Sequence, residues 1–362
     1  VRVLAYVYPG WHPIPERDES FYPGFTEWDL VYDSPPRFDG HVQPRLPLWG
    51  RYDDRDPVAV ERRIALCRDH GVDGWVYGFF WCRGKRVFQD ALDLGFLGAP
   101  SGDRYPFALM WANRMPRRVL PVRRTDTPVI EADRLVPADV DDFCAFVRYV
   151  AERYWVRPNY LRVDGRAYFS IFDSTYFMKE LGVDGARAAI AAARAMLASA
   201  GLPPMYLTAI EPNADMIGQV AAIGFDAVTN YVLLPEWKGE FQQDYDACVA
   251  RRAAQWPEIA AAAGLPYHPA VTPGWDASPR GADFGAARPD KYPWSPVVVG
   301  EHPDKFRAAV ARAVEYARAS GRDADQQLVL VSSLNEWSEG HYLEPDTRFG
   351  TAWIEAVRDG RA

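Results

Sequence analysis

Short, nearly uninterrupted apolar runs alternate with amphipathic stretches along the whole chain. The first run, VRVLAYVY at 1–8, is followed by the helix-patterned PVAVERRIALCRDHG at 57–71; GWVYGFFW at 74–81 is followed by FQDALDLGF, and YPFALMWAN at 105–113 by PADVDDFCAFVRYVAERYW at 137–155. The alternation continues with RAYFSIFD (166–173) and DGARAAIAAARAMLASAG, PMYLTAI (204–210) and ADMIGQVAAIG, and FDAVTNYV (225–232) and YDACVARRAAQWPEIAAAAG. PYHPAVT (266–272) with PDKFRAAVARAVEYARASG (303–321), and QLVLVSS (327–333) with TAWIEAVRDG, complete the series. The pattern predicts strand then helix, eight times over. Strands apolar on both faces are those of a parallel sheet covered throughout, so the fold class is α/β: a (β/α)8 barrel of the TIM type. Residues 1–362 read as a single catalytic domain, with no repeat, low-complexity tract or linker. The loops after strands 1, 3 and 7 are long and are expected to form the active-site cleft. A doubly wound sheet would carry a glycine-rich phosphate turn after the first strand, and YPGWHPIPERD is not one.

Composition narrows the function. With 362 residues, 48% of them hydrophobic, the chain can bury a large core, and a formal net charge of -8 argues against a nucleic-acid partner. Thirteen Trp, 19 Tyr and 18 Phe form a heavy aromatic load, suited to stacking on sugar rings as well as to core packing. The four cysteines, Cys67, Cys82, Cys144 and Cys248, have no CxxC spacing and read as reduced thiols. The six histidines form neither HxH nor HExxH, so no metal and no cofactor is expected. No apolar run reaches the roughly 20 residues of a membrane span, and no signal peptide is read. The chain starts without Met, leaving open the cytoplasm, or the periplasm or exterior after removal of an N-terminal segment. Nothing in the sequence sets the oligomeric state.

Barrel enzymes place their sites at the carboxyl ends of the strands, so residues just past each apolar run can be pooled. Strand 1 delivers Tyr8, Trp11 and His12, and its loop carries Glu27 and Trp28; strand 2 ends with Tyr77, Phe80 and Trp81; strand 3 gives Trp111, Asn113 and then the basic run with Arg114 and Arg117. Strand 4 ends at Asp173, strand 5 at Glu211 and strand 6 at Asn230 and Tyr231, while TPGWDASPR supplies Trp275, Asp276 and Arg280. The last strand runs into NEWSEGHYLE, with Glu336, Trp337, Glu339, Tyr342 and Glu344. Glu336 and Glu339, three apart beside a tryptophan, are the candidate catalytic pair: glycoside cleavage needs one carboxylic acid to protonate the leaving oxygen and a second, ionised carboxylate. Each acid raises the other's pKa, which keeps one protonated. The tryptophans of strands 2 and 3 could equally pack between barrel and helices, Glu27 could order its own loop, and Asp276 with Arg280 could be a structural ion pair. The arginines at 114, 117, 118, 123 and 124 read either as a solvated loop face or as forks for a uronate, sulfate or phosphate.

SLNEWSEGHYLEPD resembles the NEWxEG signature shared by glycoside hydrolase family 99, the endo-α-mannosidases and endo-α-mannanases, and by the related WbsX-like proteins of bacterial polysaccharide gene clusters. YPGWHPIPERDESFYPGFTEWDLV, WAN at 111–113, VTNY at 228–231 and PGWDASPR at 273–280 are similar to the WbsX-like branch. The resemblance spans nearly the whole chain. It implies a retaining mechanism in which Glu336, as base on the sugar 2-hydroxyl, promotes a 1,2-anhydro sugar, while Glu339 protonates the leaving group and then activates water. Where the WbsX-like pattern follows WAN with an acid, this chain has Arg114, which points to a different glycan, an anionic one included, so mannose is not assumed. The N-terminal pattern of the endo-mannosidases is absent. A glycosyltransferase and a non-catalytic glycan-binding barrel are the competing readings. A metal-dependent transferase would place an acid pair beside a strand end, and the acid pairs at 54–56 and 323–325 are expected at the wrong end of their elements.

Overall fold

The computed structural model describes residues 1–113, 139–284 and 292–362. Eight strands form the barrel: β1 (Arg2–Val7), β2 (Gly74–Cys82), β3 (Phe107–Trp111), β4 (Arg166–Ile171), β5 (Met205–Ile210), β6 (Ala227–Thr229), β7 (Ala270–Val271) and β8 (Leu328–Val331). From β1 to β6 each strand pairs in parallel with the next, β7 pairs with β8, and β8 returns to β1 with Arg2 opposite Leu328. Between β6 and β7 a parallel bridge at Val228 and Tyr267, with His268 N donating to the Val228 carbonyl at 2.9 Å, carries the ring around. The barrel expected from the sequence is present, and its seventh strand is short. Pro266 and Pro269 have no N–H to donate, so regular pairing is confined to two residues.

Helices cover the outside where the amphipathic stretches predict them, notably Pro57–Asp69, Val140–Val150, Tyr245–Ala263 and Pro303–Ala319. Asp56, Asp139 and Asp244 each accept a backbone N–H as N-caps, which fixes where three of these begin. Two stretches differ from expectation. FQDALDLGF forms only a wide π-type turn, Ala91–Phe96, where a side chain on Gly95 would collide with the Asp54 carbonyl. The helix after β4 starts ten residues early, at Ser174 under an Asp173 cap, and breaks at Gly182, whose φ is 68°.

Strand alternation sorts the aromatics. On β2, Trp75, Tyr77, Phe79 and Trp81 point outward: Trp81 stacks on Phe146 of the helix Val140–Val150 at 5.2 Å, and Tyr77 meets Phe96 at 5.5 Å. Trp111 at the end of β3 packs on the same Phe146 at 5.1 Å. At the base, the two ends of the chain meet, Arg361 donating to the Val1 carbonyl and to Asp73. No helix among the described residues is long and apolar enough to cross a membrane.

Candidate active site

Past β8 the chain makes a tight double-back that explains why its acids crowd together. Asn335–Glu336 pairs antiparallel with His341–Tyr342 around a single turn, Trp337–Glu339, closed by Gly340 at φ 71°. A side chain at Gly340 would sit 2.9 Å from the backbone N and O of Asp276, so glycine is required by both conformation and space. Asn335 fastens the turn to β1, accepting from Tyr8 N at 2.8 Å and donating to the Tyr8 carbonyl at 2.9 Å. Glu336 and Glu339 are thereby aimed into a cavity of about 150 Å³ at the mouth of the barrel, walled by Tyr8, Gly78, Phe80, Met110, Ala112, Phe172, Tyr231 and Arg280.

Arg280 ties the acids together. Its guanidinium donates to Glu336 at 2.8 Å, to Glu27 at 3.1 Å and to Glu339, and Tyr292 donates to the same Glu339 oxygen at 2.7 Å. Tyr231 donates to the other oxygen of Glu336 at 3.1 Å, and His341 Nε2 lies 3.3 Å from Glu339. Glu27, fully buried, also accepts from Arg17, Tyr8 and Ser338.

These contacts set the charges. Burial alone would raise Glu27, but Arg280 and Arg17 pull it down to about 2, so it stays ionised. Burial, reinforced by the charges of Glu339 and Glu27, holds Glu336 well above the ordinary carboxylate range despite Arg280. Glu339 is as buried, yet Arg280, His341 and Tyr292 hold it below the ordinary value. Burial lowers His341, favouring neutral imidazole. Two guanidinium groups and three carboxyls balance when one carboxyl carries a proton, and the directions of these shifts favour Glu336 as its holder.

The sequence-derived candidates divide into four groups. Tyr8, Tyr231, Arg280, Glu336 and Glu339 line the cavity, with Glu27 bonded directly behind. Trp275 is one layer back, stacked on His341 at 5.6 Å. A third group is structural: Tyr77, Trp81 and Trp111 face helices, and Trp11, Trp28, Trp337 and Tyr342 form a buried aromatic cluster, Trp11 and Trp28 at 4.0 Å and Trp337 and Tyr342 at 3.7 Å. In this group too, Asn113 bonds the Asp173 backbone, Glu211 accepts from Tyr231 N and Val232 N, and Asn230 accepts from Tyr267. The proposed pairing of Asp276 with Arg280 is replaced: Asp276 bonds His41 at 2.8 Å and Gln43 at 2.6 Å, and His41 with nearby Arg45 keeps it far below the usual range against its burial. Arg114 and Arg117 lie outside the described residues.

Sequence reasoning missed Arg17, Tyr292, His341 and the wall residues Gly78, Met110, Ala112 and Phe172. The wall was readable in part from the period of two, since Gly78 and Phe80 alternate with the outward Tyr77, Phe79 and Trp81. The placement of the first acid pair was also misjudged. A helix after a barrel strand begins at the catalytic face, and Asp54 sits there with its Oδ1 2.6 Å from His12 Nδ1. His12, Asp53 and Asp54 offer three ligand atoms within 4.8 Å of one another, the one such group among the described residues, although Arg55 already forks Asp53.

Comparisons with known proteins agree with this architecture. A family model described as Glycosyltransferase WbsX matches residues 3–357. The uncharacterized protein WxcX of Xanthomonas campestris pv. campestris is 30% identical over 370 residues, 98% of this chain and 49% of the relative. The chain thus spans about half the length of the curated relatives it matches. Among solved structures, the GH99 endo-alpha-mannosidase from Bacteroides thetaiotaomicron is 16% identical with a TM-score of 0.59, covering 99% of this chain and 95% of that one. A glycoside hydrolase-like protein is 16% identical with a TM-score of 0.60, covering 99% and 93%. At these identities the likeness is one of fold.

Proposed function

This chain belongs to the family described as Glycosyltransferase WbsX, and from that premise we propose that it is a retaining glycoside hydrolase acting on a bacterial polysaccharide or oligosaccharide. The observation that carries the reading is the pair Glu336 and Glu339, buried and joined through Arg280 at the mouth of the barrel, with their pKa values pushed in opposite directions. Acid–base cleavage of a glycosidic bond requires that state, one carboxyl protonated and one ionised. A nucleotide-sugar transferase needs cations or donors for a diphosphate, whereas the one cation among the described lining residues is already bonded to three glutamates. The described cavity is charge-balanced and suits a neutral sugar ring at the bond cleaved.

In the mechanism implied by the resemblance, Glu336 takes the proton of the sugar 2-hydroxyl, O2 attacks the anomeric carbon, and the bond to the leaving oxygen breaks as Glu339 protonates it. Glu339 then deprotonates the water that attacks the anomeric carbon, the C1–O2 bond of the 1,2-anhydro sugar breaks as Glu336 returns its proton to O2, and configuration is retained. With the resting proton on Glu336, this division requires substrate entry to move it to Glu339. The reverse division, Glu336 as acid and Glu339 as base, requires no such move, and the directions of the two shifts favour it as a second reading.

The test is reducing-end release from neutral and acidic microbial polysaccharides by the native protein, Glu336→Gln and Glu339→Gln. Loss of roughly 10²–10⁴-fold or more in both variants supports hydrolysis by the pair. On an aryl glycoside with a good leaving group, the acid variant recovers its first step and the base variant does not, which assigns the roles. A 2-deoxy substrate cleaved at the normal rate would rule out the anhydro route. Calorimetric binding of a nucleoside diphosphate sugar, with no glycan cut, would replace hydrolysis by transfer.

A further inference from the structure

We infer that Trp237 is a stacking platform for a sugar residue of the glycan that lies away from the bond being cleaved. Trp237 is 49% exposed and is the one exposed aromatic among the large hydrophobic residues found at the surface of the described chain. It stands at the tip of the loop after β6, on the face of the barrel that carries Glu336 and Glu339.

The loop is built to hold that ring in place. The buried Gln243 side chain accepts from Glu236 N at 2.7 Å and donates to the carbonyls of Glu236 at 2.8 Å and Glu240 at 3.0 Å, closing the turn from both sides. Gly239 N donates to the Glu236 carbonyl at 2.9 Å within the same turn. From the helix Tyr245–Ala263, Arg252 donates to the carbonyls of Leu234 and Pro235, and Arg251 pairs with Glu236. Gln242–Asp244 adds a parallel pairing to Val297–Val299 just beyond the turn. An exposed indole on a turn fixed at this many points has already lost the backbone freedom that binding would otherwise cost.

The indole is also continuous with the site. Trp237 meets Trp275 edge-on at 4.9 Å, and Trp275 stacks on His341 at 5.6 Å and 17°, whose Nε2 faces Glu339. The platform is therefore two ring-to-ring steps from the partner of a catalytic acid, beyond the cleavage position rather than at it. A flat apolar face at that place fits the C–H face of a pyranose, and it requires a substrate several sugars long. This inference rests on the glycosidase reading for its substrate class, and the test keeps the two apart.

The experiment compares Trp237→Ala and Trp237→Phe with the native protein on a long glycan and on a short aryl glycoside. Expected is a loss of roughly five- to tenfold in kcat/KM on the long glycan, carried by KM, with the short substrate unchanged and Trp237→Phe largely restored. Equal effects on both substrates, or none on either, overturn the inference while leaving hydrolysis in place. If the native protein cuts none of the glycans, the platform is read instead by retardation in gels containing the polysaccharides. Retardation of Glu336→Gln that is lost in Glu336→Gln/Trp237→Ala supports it; unchanged or absent retardation overturns it. A Trp237→Ala change that alters only self-association assigns the ring to a protein contact and overturns it as well.

Discussion

Replacing Glu27 by Gln tests the charge balance on which the site depends. The carboxylate is fully buried between Arg17 and Arg280, and its pKa falls from an ordinary 4.5 to about 2. A folded-state pKa below the unfolded one contributes stability above the unfolded value, and that stability is lost as pH falls through the folded value. At 1.36 kcal/mol per unit, the contribution is about 3 kcal/mol at neutrality, and rather more than half of it is gone by pH 3. Urea unfolding of the native protein and Glu27→Gln at pH 7, 5 and 3 therefore has a definite expected form: a gap of about 3 kcal/mol at pH 7, little changed at pH 5, and clearly narrowed at pH 3. A second readout is independent of stability. Glu27 is one of the negative charges that raise Glu336, so its loss lets Glu336 ionise more readily and moves the alkaline limb of the rate profile to lower pH. A variant as stable as the native protein at pH 7, or a gap that stays constant down to pH 3, would refute the reasoning.

Three further outcomes are expected. Arg280 lowers both Glu336 and Glu339, so Arg280→Met raises both and shifts the entire bell-shaped rate profile to higher pH; the charged and titratable groups facing it are Glu27, Glu336, Glu339, Tyr292 and Tyr8, and an unmoved profile counts against its role. Gly340→Ala forces a Cβ against Asp276 in a left-handed conformation, which should cost at least about 1–2 kcal/mol and, by displacing Glu339, about 10²-fold in kcat; normal turnover would show that the turn does not set the acid's position. Trp111→Ala should destabilise by about 3–5 kcal/mol, while Phe80→Ala, at the cavity wall, should chiefly raise KM; a reversed pattern in melting and kinetics would contradict the sorting of inward and outward faces.

The barrel was legible because burial on both faces leaves a strong mark: β1, β2, β3, β5 and β8 all lie within nearly uninterrupted apolar runs. Glu336 and Glu339 were legible because the last of those runs ends in acids. What sequence position could not convey was direction. Trp81 and Trp111 stand at strand ends but point outward, and only the alternation with Gly78, Phe80, Met110 and Ala112 distinguishes wall from packing. Nor could it convey partners far apart along the chain. Arg280 was a candidate for an anion or for Asp276, and its three glutamates lie in segments that only folding brings beside it. Tyr292 and Arg17 carried no signal, since an isolated tyrosine or arginine in a loop is ordinary.

The seam where β8 returns to β1 has a consequence for how the protein acquires its activity. Glu27 lies 253 residues from Arg280 and 311 from Ser338, yet it bonds both, so the charge cluster joins the first and last parts of the chain. Contacts of such high sequence separation carry the largest loop-closure cost and are made late in folding. During synthesis the amino-terminal half of the cluster must wait, with Arg17 and Glu27 already made, until the final strand emerges and docks. In the proposed hydrolase, turnover regained on refolding should therefore follow closure of the ring rather than the earlier gain of helix, making its rate a clock for the last long-range step.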